Sequence, residues 1–177
     1  TTGGSHKESD VELRKRFTEY VSHPITSGNK WQYISWAKSV DGVGDAKCLP
    51  LWNGAGTVKV IIVDSEKQLI NKVQSYIDEQ CPIGADVTVT TATAVSINVT
   101  FSADVDESTI ESIKSNIRSY LRDVSFANGY VSYAKIGQTI LNTDGVDDYS
   151  NLKINSKTEN IAISETEIAV LGGVAVG

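Results

Sequence analysis

The sequence predicts an α+β fold: a mainly antiparallel sheet with helices on one face, in ferredoxin-like or split βαβ order, preceded by a short helical segment. Three observations predict it. Residues 66–80 and 106–123 each carry apolar side chains on a single helical face. Residues 86–103 are rich in Val, Thr and Ile and alternate at period two, as in Val95, Ile97, Val99 and Phe101. From Val58 onward the order reads strand, helix, strand, strand, helix and, later, strand. At 177 residues, one compact domain with a small appendage is expected. The division predicted is an N-terminal helical segment over 1–41, continuing from an upstream region, and an α+β domain over 42–177.

The first helix opens with Ser9 and Glu12 in a capping-box spacing, and Leu13, Phe17, Tyr20 and Val21 follow on one face. His23-Pro24 ends it, because proline disfavours helical geometry in the residue before it. A turn near 26–29 leads into an aromatic helix over 31–40, stopped by Asp41-Gly42. A β-hairpin follows, with strands over 44–52 and 57–64 joined by Asn53-Gly54-Ala55-Gly56. The run Val60-Ile61-Ile62-Val63 predicts an interior strand covered on both faces. Leu69, Ile70, Val73, Tyr76 and Ile77 form the stripe of the next helix, which Pro82 and Gly84 terminate. Both long helices are expected over the same sheet, and 86–103 is expected as two strands with a turn at 92–94. Asp106 is the N-cap expected for the second long helix. A helix over 131–141, a turn at Asp144-Gly145-Val146 and short strands at 152–154, 160–163 and 167–176 complete the chain. Ala37 to Val43 and Thr143 to Val146 share a helix–turn–strand setting, which a duplicated element or chance explains equally well.

Composition excludes several functions. The net charge is −6 and basic residues are interleaved with acidic ones, so no stripe exists to displace counterions from nucleic acid. No apolar run approaches the ~20 residues that span a bilayer, so no membrane partner is expected. Cys48 and Cys81 lack the spacing of a zinc site or redox pair; the readings are reduced core residues, favoured by composition, or a disulfide. Methionine is absent even at position 1, and the opening is polar and glycine-rich, so residues 1–7 are expected to be a linker within a longer chain.

Candidate chemistry is sparse. His6 and His23 are the two histidines, and their settings suit surface or capping roles better than general-base work. The carboxylates Asp104, Asp106 and Glu107 read as a helix cap, and Asp144, Asp147 and Asp148 match no calcium-loop pattern; a structural metal at the second group stays open. The glycines of 54–56 join two strands and lack the following helix that a phosphate loop requires. Trp31, Tyr33, Trp36 and Trp52 read first as a satellite core, then as a subunit contact or a ligand platform. No cofactor, metal or small-molecule substrate is expected, and no enzyme, because no nucleophile has a histidine partner at motif spacing.

Short motifs in a fixed order carry a further resemblance. They are Gly3-Gly4 with Glu8-Ser9-Asp10 and Leu13-Arg14-Lys15-Arg16, then Trp36-Ala37 with Gly42-Val43, then Pro50-Leu51-Trp52-Asn53-Gly54-Ala55-Gly56-Thr57-Val58. Pro82-Ile83-Gly84-Ala85-Asp86-Val87, Gly145-Val146 and Ile168-Ala169-Val170-Leu171-Gly172 follow. Together these resemble the C-terminal half of baseplate J-like proteins of contractile phage tails, with the XkdT-like proteins of prophages and tail-like particles as the most similar subgroup. The resemblance implies a structural component of a baseplate wedge that joins copies of itself and other wedge and hub proteins into a ring. It places the protein in the virion tail baseplate, and in the host cytoplasm during assembly. It supplies no catalytic residues. Ring contacts are expected at Asn53, Gly54, Ala55 and Gly56, at Asp144, Asp147 and Asp148, and at Ile168, Val170 and Leu171. The alternative is a carbohydrate- or protein-binding module without catalytic activity.

Overall fold

The computed structural model describes residues 9–22, 28–64, 68–127 and 129–177. The chain forms two compact units that divide after Thr90. The class is α+β, as expected, but the single sheet anticipated across 42–177 is two three-stranded sheets, one in each unit. The division anticipated after Asp41 falls inside the first unit. The reason lies at Ala92. It alone separates strand β3 (Asp86–Thr91) from β4 (Thr93–Ser102), whereas a tight hairpin needs two turn residues. The extended chain therefore leaves one sheet and enters the other, and the hairpin expected over 86–103 does not form.

In the first unit, α1 (Asp10–Ser22) forms where the capping box placed it, with the Leu13 N–H donating to the Ser9 carbonyl. Its apolar residues Val11, Leu13, Phe17 and Val21 are exposed. The helix stop at His23-Pro24 lies outside the described residues, as does His6. Helix α2 (Lys30–Ser39) starts at the Asn29 cap, whose side chain accepts from the Gln32 N–H. The expected hairpin is present as β1 (Ala46–Pro50) antiparallel to β2 (Thr57–Ile62), with Cys48 opposite Val60. Strand β2 is the centre of the order β1-β2-β3, and Val60, Ile61 and Ile62 are fully buried, as an apolar run covered on both faces requires. Helix α3 (Ile70–Gln80) begins later than residue 66; the Leu69 N–H donates to Asp64 (2.7 Å). It buries Val73 and Ile77 against Tyr33, Ala37 and Val89, whereas Tyr76, expected on the same stripe, stays largely exposed.

In the second unit, β4 is central, with β6 (Ser150–Ile154) antiparallel on one side and β8 (Glu167–Val176) parallel on the other. Helices α4 (Glu107–Asp123) and α5 (Tyr133–Leu141) share one core with this sheet. Ile97, Val99 and Phe101 turn inward to Ile113, Ile117, Leu121 and Ile140, while Ser96, Asn98 and Thr100 face solvent. Helices on one face are thus found here, but α3 and α4 do not cover the same sheet. Asp106 caps α4 as expected: its carboxylate accepts from the Thr109 N–H (2.7 Å), which holds its pKa below the ordinary value. A two-stranded ribbon of β5 (Tyr130–Val131) and β7 (Ile161–Ala162) completes the unit.

The two units share a plan. Each has a central strand followed by a helix (β2–α3 and β4–α4). One neighbour is an antiparallel strand reached from a helix through Asp-Gly-Val: α2, Asp41-Gly42-Val43 and β1, or α5, Asp144-Gly145-Val146 and β6. Gly42 and Gly145 hold matching left-handed conformations (φ 96° and 89°), where a side chain would be strained. The other neighbour starts beside the start of the central strand. The Asp86 N–H donates to the Gly56 carbonyl (3.0 Å), and Glu167 pairs with Thr93. The helix–turn–strand echo in the sequence is therefore structural as well.

Side-chain amides close two strand edges. Gln74 of α3 lies along the outer edge of β3, where its Oε1 accepts from the Val89 N–H (2.8 Å) and its Nε2 donates to the Val87 carbonyl (2.9 Å). Asn155 does the same for the stretch of β4 beyond β6: its Oδ1 accepts from the Asn98 N–H (2.8 Å) and its Nδ2 donates to the Ser96 carbonyl (3.0 Å). Replacing Gln74 by Leu strips two partners from β3, so a loss of about 2 kcal/mol is expected at roughly 1 kcal/mol per bond. Urea unfolding of Gln74→Leu beside the parent chain measures it, and an unchanged midpoint would contradict the clamp.

Candidate functional site

The residues singled out from the sequence fall into three places. Asn53, Gly54, Ala55 and Gly56 form the exposed tip of the β1–β2 hairpin. Thr57 shapes the tip from the side: its hydroxyl donates to the Gly54 carbonyl (2.7 Å) and accepts from the Asn53 N–H (3.0 Å). Asp144, Asp147 and Asp148 are exposed on the loop between α5 and β6, which the buried Val146 anchors. On β8, Val170 is exposed, Leu171 is half-buried against the core and Ile168 is buried. The tip belongs to the first unit, and the acidic loop and β8 belong to the second.

The acidic loop is held by an aromatic wedge. The Tyr149 hydroxyl occupies the position that a Cβ on Gly137 would need, and its ring meets Phe101 edge-on at 6.3 Å. Glycine in mid-helix costs about 1 kcal/mol relative to alanine, so Gly137 is there for this close approach. Burial raises the Tyr149 pKa above its ordinary value.

Sequence reasoning passed over Leu51 and Ile83 beside the hairpin tip, and it read Trp52 first as satellite core. Leu51 and Trp52, 66% and 44% exposed, precede the turn, and Leu51 adopts φ 59°, which a branched aliphatic residue rarely does. The Lys59 amine lies 4.9 Å over the Trp52 ring. Ile83, fully exposed, sits in the adjoining 82–85 loop, next to Gly84, whose carbonyl lies 3.5 Å from where a Gly56 Cβ would be. The signal for it was an isoleucine between proline and glycine, where a loop gives it no core to enter. Of the other aromatics in that group, Tyr33 is buried and Trp36 packs edge-on to it at 5.2 Å, whereas Trp31 is half-buried outside that core with the Lys30 amine 4.6 Å over its ring.

Groups capable of chemistry do not converge among the described residues. Among the described residues, no cluster of three or more His, Cys, Asp or Glu could hold a metal ion. No described helix is long and apolar enough to cross a membrane. Both cysteines are free thiols. Burial pushes the Cys48 thiol up to about 11, so it is protonated and unreactive at neutral pH, while Cys81 is partly accessible. The cavity lined by Phe126, Tyr130, Ile163 and Ile168 is apolar and holds about 10 Å³, room for no more than a single water.

The exposed features of the two units include loops and a strand edge around two small sheets, and comparison with known proteins gives the family. The Baseplate J-like central domain matches residues 25–91, and the Baseplate J-like protein C-terminal domain matches residues 93–177. The chain belongs to the Baseplate J-like family. The two matches meet where the structure divides. Among relatives, it is 37% identical to the phage-like element PBSX protein XkdT of Bacillus subtilis (strain 168), across 98% of this chain and 55% of that protein. It is 26% identical to the baseplate protein gp47 of Escherichia phage Mu, across 98% of this chain and 52% of that protein. The chain thus spans about half the length of these relatives. Its fold resembles a chain in the baseplate of the anti-feeding prophage, with TM-score 0.63 at 9% identity over 96% of this chain and 43% of that one.

Two outcomes test this geometry. Gly137→Ala should destabilise the chain by about 1–3 kcal/mol despite its better helix propensity, because the added methyl displaces Tyr149; thermal unfolding reads the sign directly. In the folded chain a thiol reagent at neutral pH should modify Cys81 and spare Cys48, and unfolding in denaturant should release the second thiol. Equal rates for the two in the folded state would contradict the burial of Cys48.

Proposed function

We infer that this chain serves as a structural part of the baseplate of a contractile phage tail or phage-tail-like particle. The observation that carries the reading is the family match along both units, together with relatives that include a baseplate protein of phage Mu and a prophage-element protein. On this reading the partners are other baseplate wedge and hub proteins and further copies of the chain in a ring. It resides in the tail baseplate, after assembly in the host cytoplasm.

The function is mechanical and involves no catalysis. The protonated Cys48 and the scattered carboxylates fit such a part. The candidate contacts are Asn53–Gly56 with Leu51, Trp52 and Ile83 on the first unit, and the Asp144–Asp148 loop with β8 on the second. Many modest contacts, each made at high local concentration, hold a ring firmly and still let it rearrange when the tail is triggered.

An antibody against the chain should decorate the tail end of particles from the same source in electron micrographs. Labelling confined to the capsid, or to soluble protein, would refute the reading. At a net charge of −6 and with the stripes of α3 and α4 spent on their own sheets, the purified chain should be mainly monomeric at micromolar concentration by light scattering. A stable closed ring formed by the chain alone, or turnover of nucleotide, peptide or glycan, would count against it.

A further inference from the structure

Strand β8 packs against α4 on its core face and is the one long sheet edge that the described residues leave without a further strand or a side-chain clamp. The other edges are blunted. Strand β1 is five residues long and ends at Pro50. Strand β6 is also five residues long, carries Lys153 and is bent by Asn151 at φ 55°. Gln74 closes β3, and Asn155 closes the overhang of β4. Strand β8 has ten residues, is paired with β4 on one side only, and from Ile168 to Val176 contains no charge and no proline. Native edges of this length are normally protected by lysine, proline or a covering element.

Comparison of the units sharpens the point. Strands β3 and β8 occupy the same place in the shared plan, each beside the central strand and following its helix. In α3 the residue after the buried Val73 is Gln74, which clamps β3. In α4 the residue after the buried Ile113 is Lys114, and its amine turns to Glu111 (2.6 Å). The clamp present in one unit is thus replaced in the other.

The register shows which backbone groups are available. The Thr93 N–H donates to the Thr166 carbonyl, and the Gly177 N–H donates to the Phe101 carbonyl (both 3.0 Å). Alternate residues of a strand turn their backbone groups to the same side. Ile168, Val170 and Ala175 therefore face β4, while Leu171, Val174 and Val176 face away, with the bulge at Gly172–Gly173 between them. Ala169 also faces away but is buried, so the open stretch is 171–176.

We propose that the open edge of β8 pairs antiparallel with β8 of a second copy of this chain, extending two three-stranded sheets into one. This deepens the proposed function, on which it rests, by naming one contact between copies. Charge along the edge does not oppose a second copy, and an antiparallel strand can pair with itself about a two-fold axis. The chain repels itself at −6, but this stretch is neutral, and antiparallel pairing sends the two Glu167 residues to opposite ends. Each Glu167 carboxylate is already engaged by the Ser164 N–H (2.9 Å). One strand edge buries on the order of a few hundred Å², below the ~1,200 Å² of a stable interface, so pairing is weak in dilute solution and forms when copies are held together.

Sedimentation velocity of the 177-residue chain from micromolar to near-millimolar concentration, with amide exchange read by NMR, tests this. The expected result is a shift toward the dimer, with the Leu171, Val174 and Val176 amides slowed about tenfold or more at the top concentration. Val174→Pro removes an outward N–H, keeps every bond to β4 and should abolish the shift. Should that variant unfold, Ala175→Lys keeps all backbone donors and places a lysine on the exposed face inside the open stretch, with the same expected loss. No concentration dependence in either readout, or a dimer that survives in the folded variants, overturns the proposal. A chain that labels the tail end yet never self-pairs overturns this contact and leaves the proposed function standing; pairing without tail-end labelling does the reverse.

Discussion

A three-stranded sheet has two edges for one interior strand, and the need to satisfy its edge backbone groups governs this chain. Each unit centres on one strand, β2 or β4, with a helix packed beside it and a shorter antiparallel neighbour. The apolar side chains of the centre find their core readily. Backbone N–H and C=O groups at an edge do not, and an unpaired buried one costs about as much as a lost hydrogen bond. The amides of Gln74 and Asn155 meet this need by presenting the donor and acceptor that a further strand would present. Their placement explains how such small sheets stand without more strands.

On the proposed function, that economy suits a part that works by being held. A baseplate component must keep its own fold while its contacts change, so stability belongs inside each unit and adaptability belongs at loops and edges. Both cores here are closed by their own helices: Ile113 and Ile117 in one, Val73 and Ile77 in the other. The exposed apolar residues Leu51, Trp52 and Ile83 stand on loops, outside those cores. A rearrangement at such points leaves the packed interiors undisturbed.

Much of the local structure was legible in the sequence. The Asp106 cap, the interior strand at 60–62 and the stripes at Ile113, Ile117 and Leu121 declare themselves through period and capping chemistry, which act within a few residues. The partition into two sheets was not legible. The alternating strands around Ala92 read as a hairpin because strand pairing is non-local and the sequence signal for each strand is the same whichever sheet it joins. The parallel pairing of β8 with β4, across more than sixty intervening residues, leaves no local trace either. Of the candidate site, the hairpin tip and acidic loop were legible as turns. Ile168 sits in the strand expected, but its side chain is buried; Gln74 and Asn155 look like ordinary surface amides until their partners are in place.

The matching Asp-Gly-Val corners bear on ancestry. In one unit the helix–corner–strand piece precedes the central strand; in the other it follows the central strand and its helix. The same spatial arrangement is reached from a rotated chain order, as a tandem duplication produces when the reading window over the repeat shifts by one piece. Two units of one plan thus differ at one flank: a glutamine seals it in the first, and in the second it has no such clamp. Divergence of this kind needs no new fold to turn a self-contained module into one that can be joined to others.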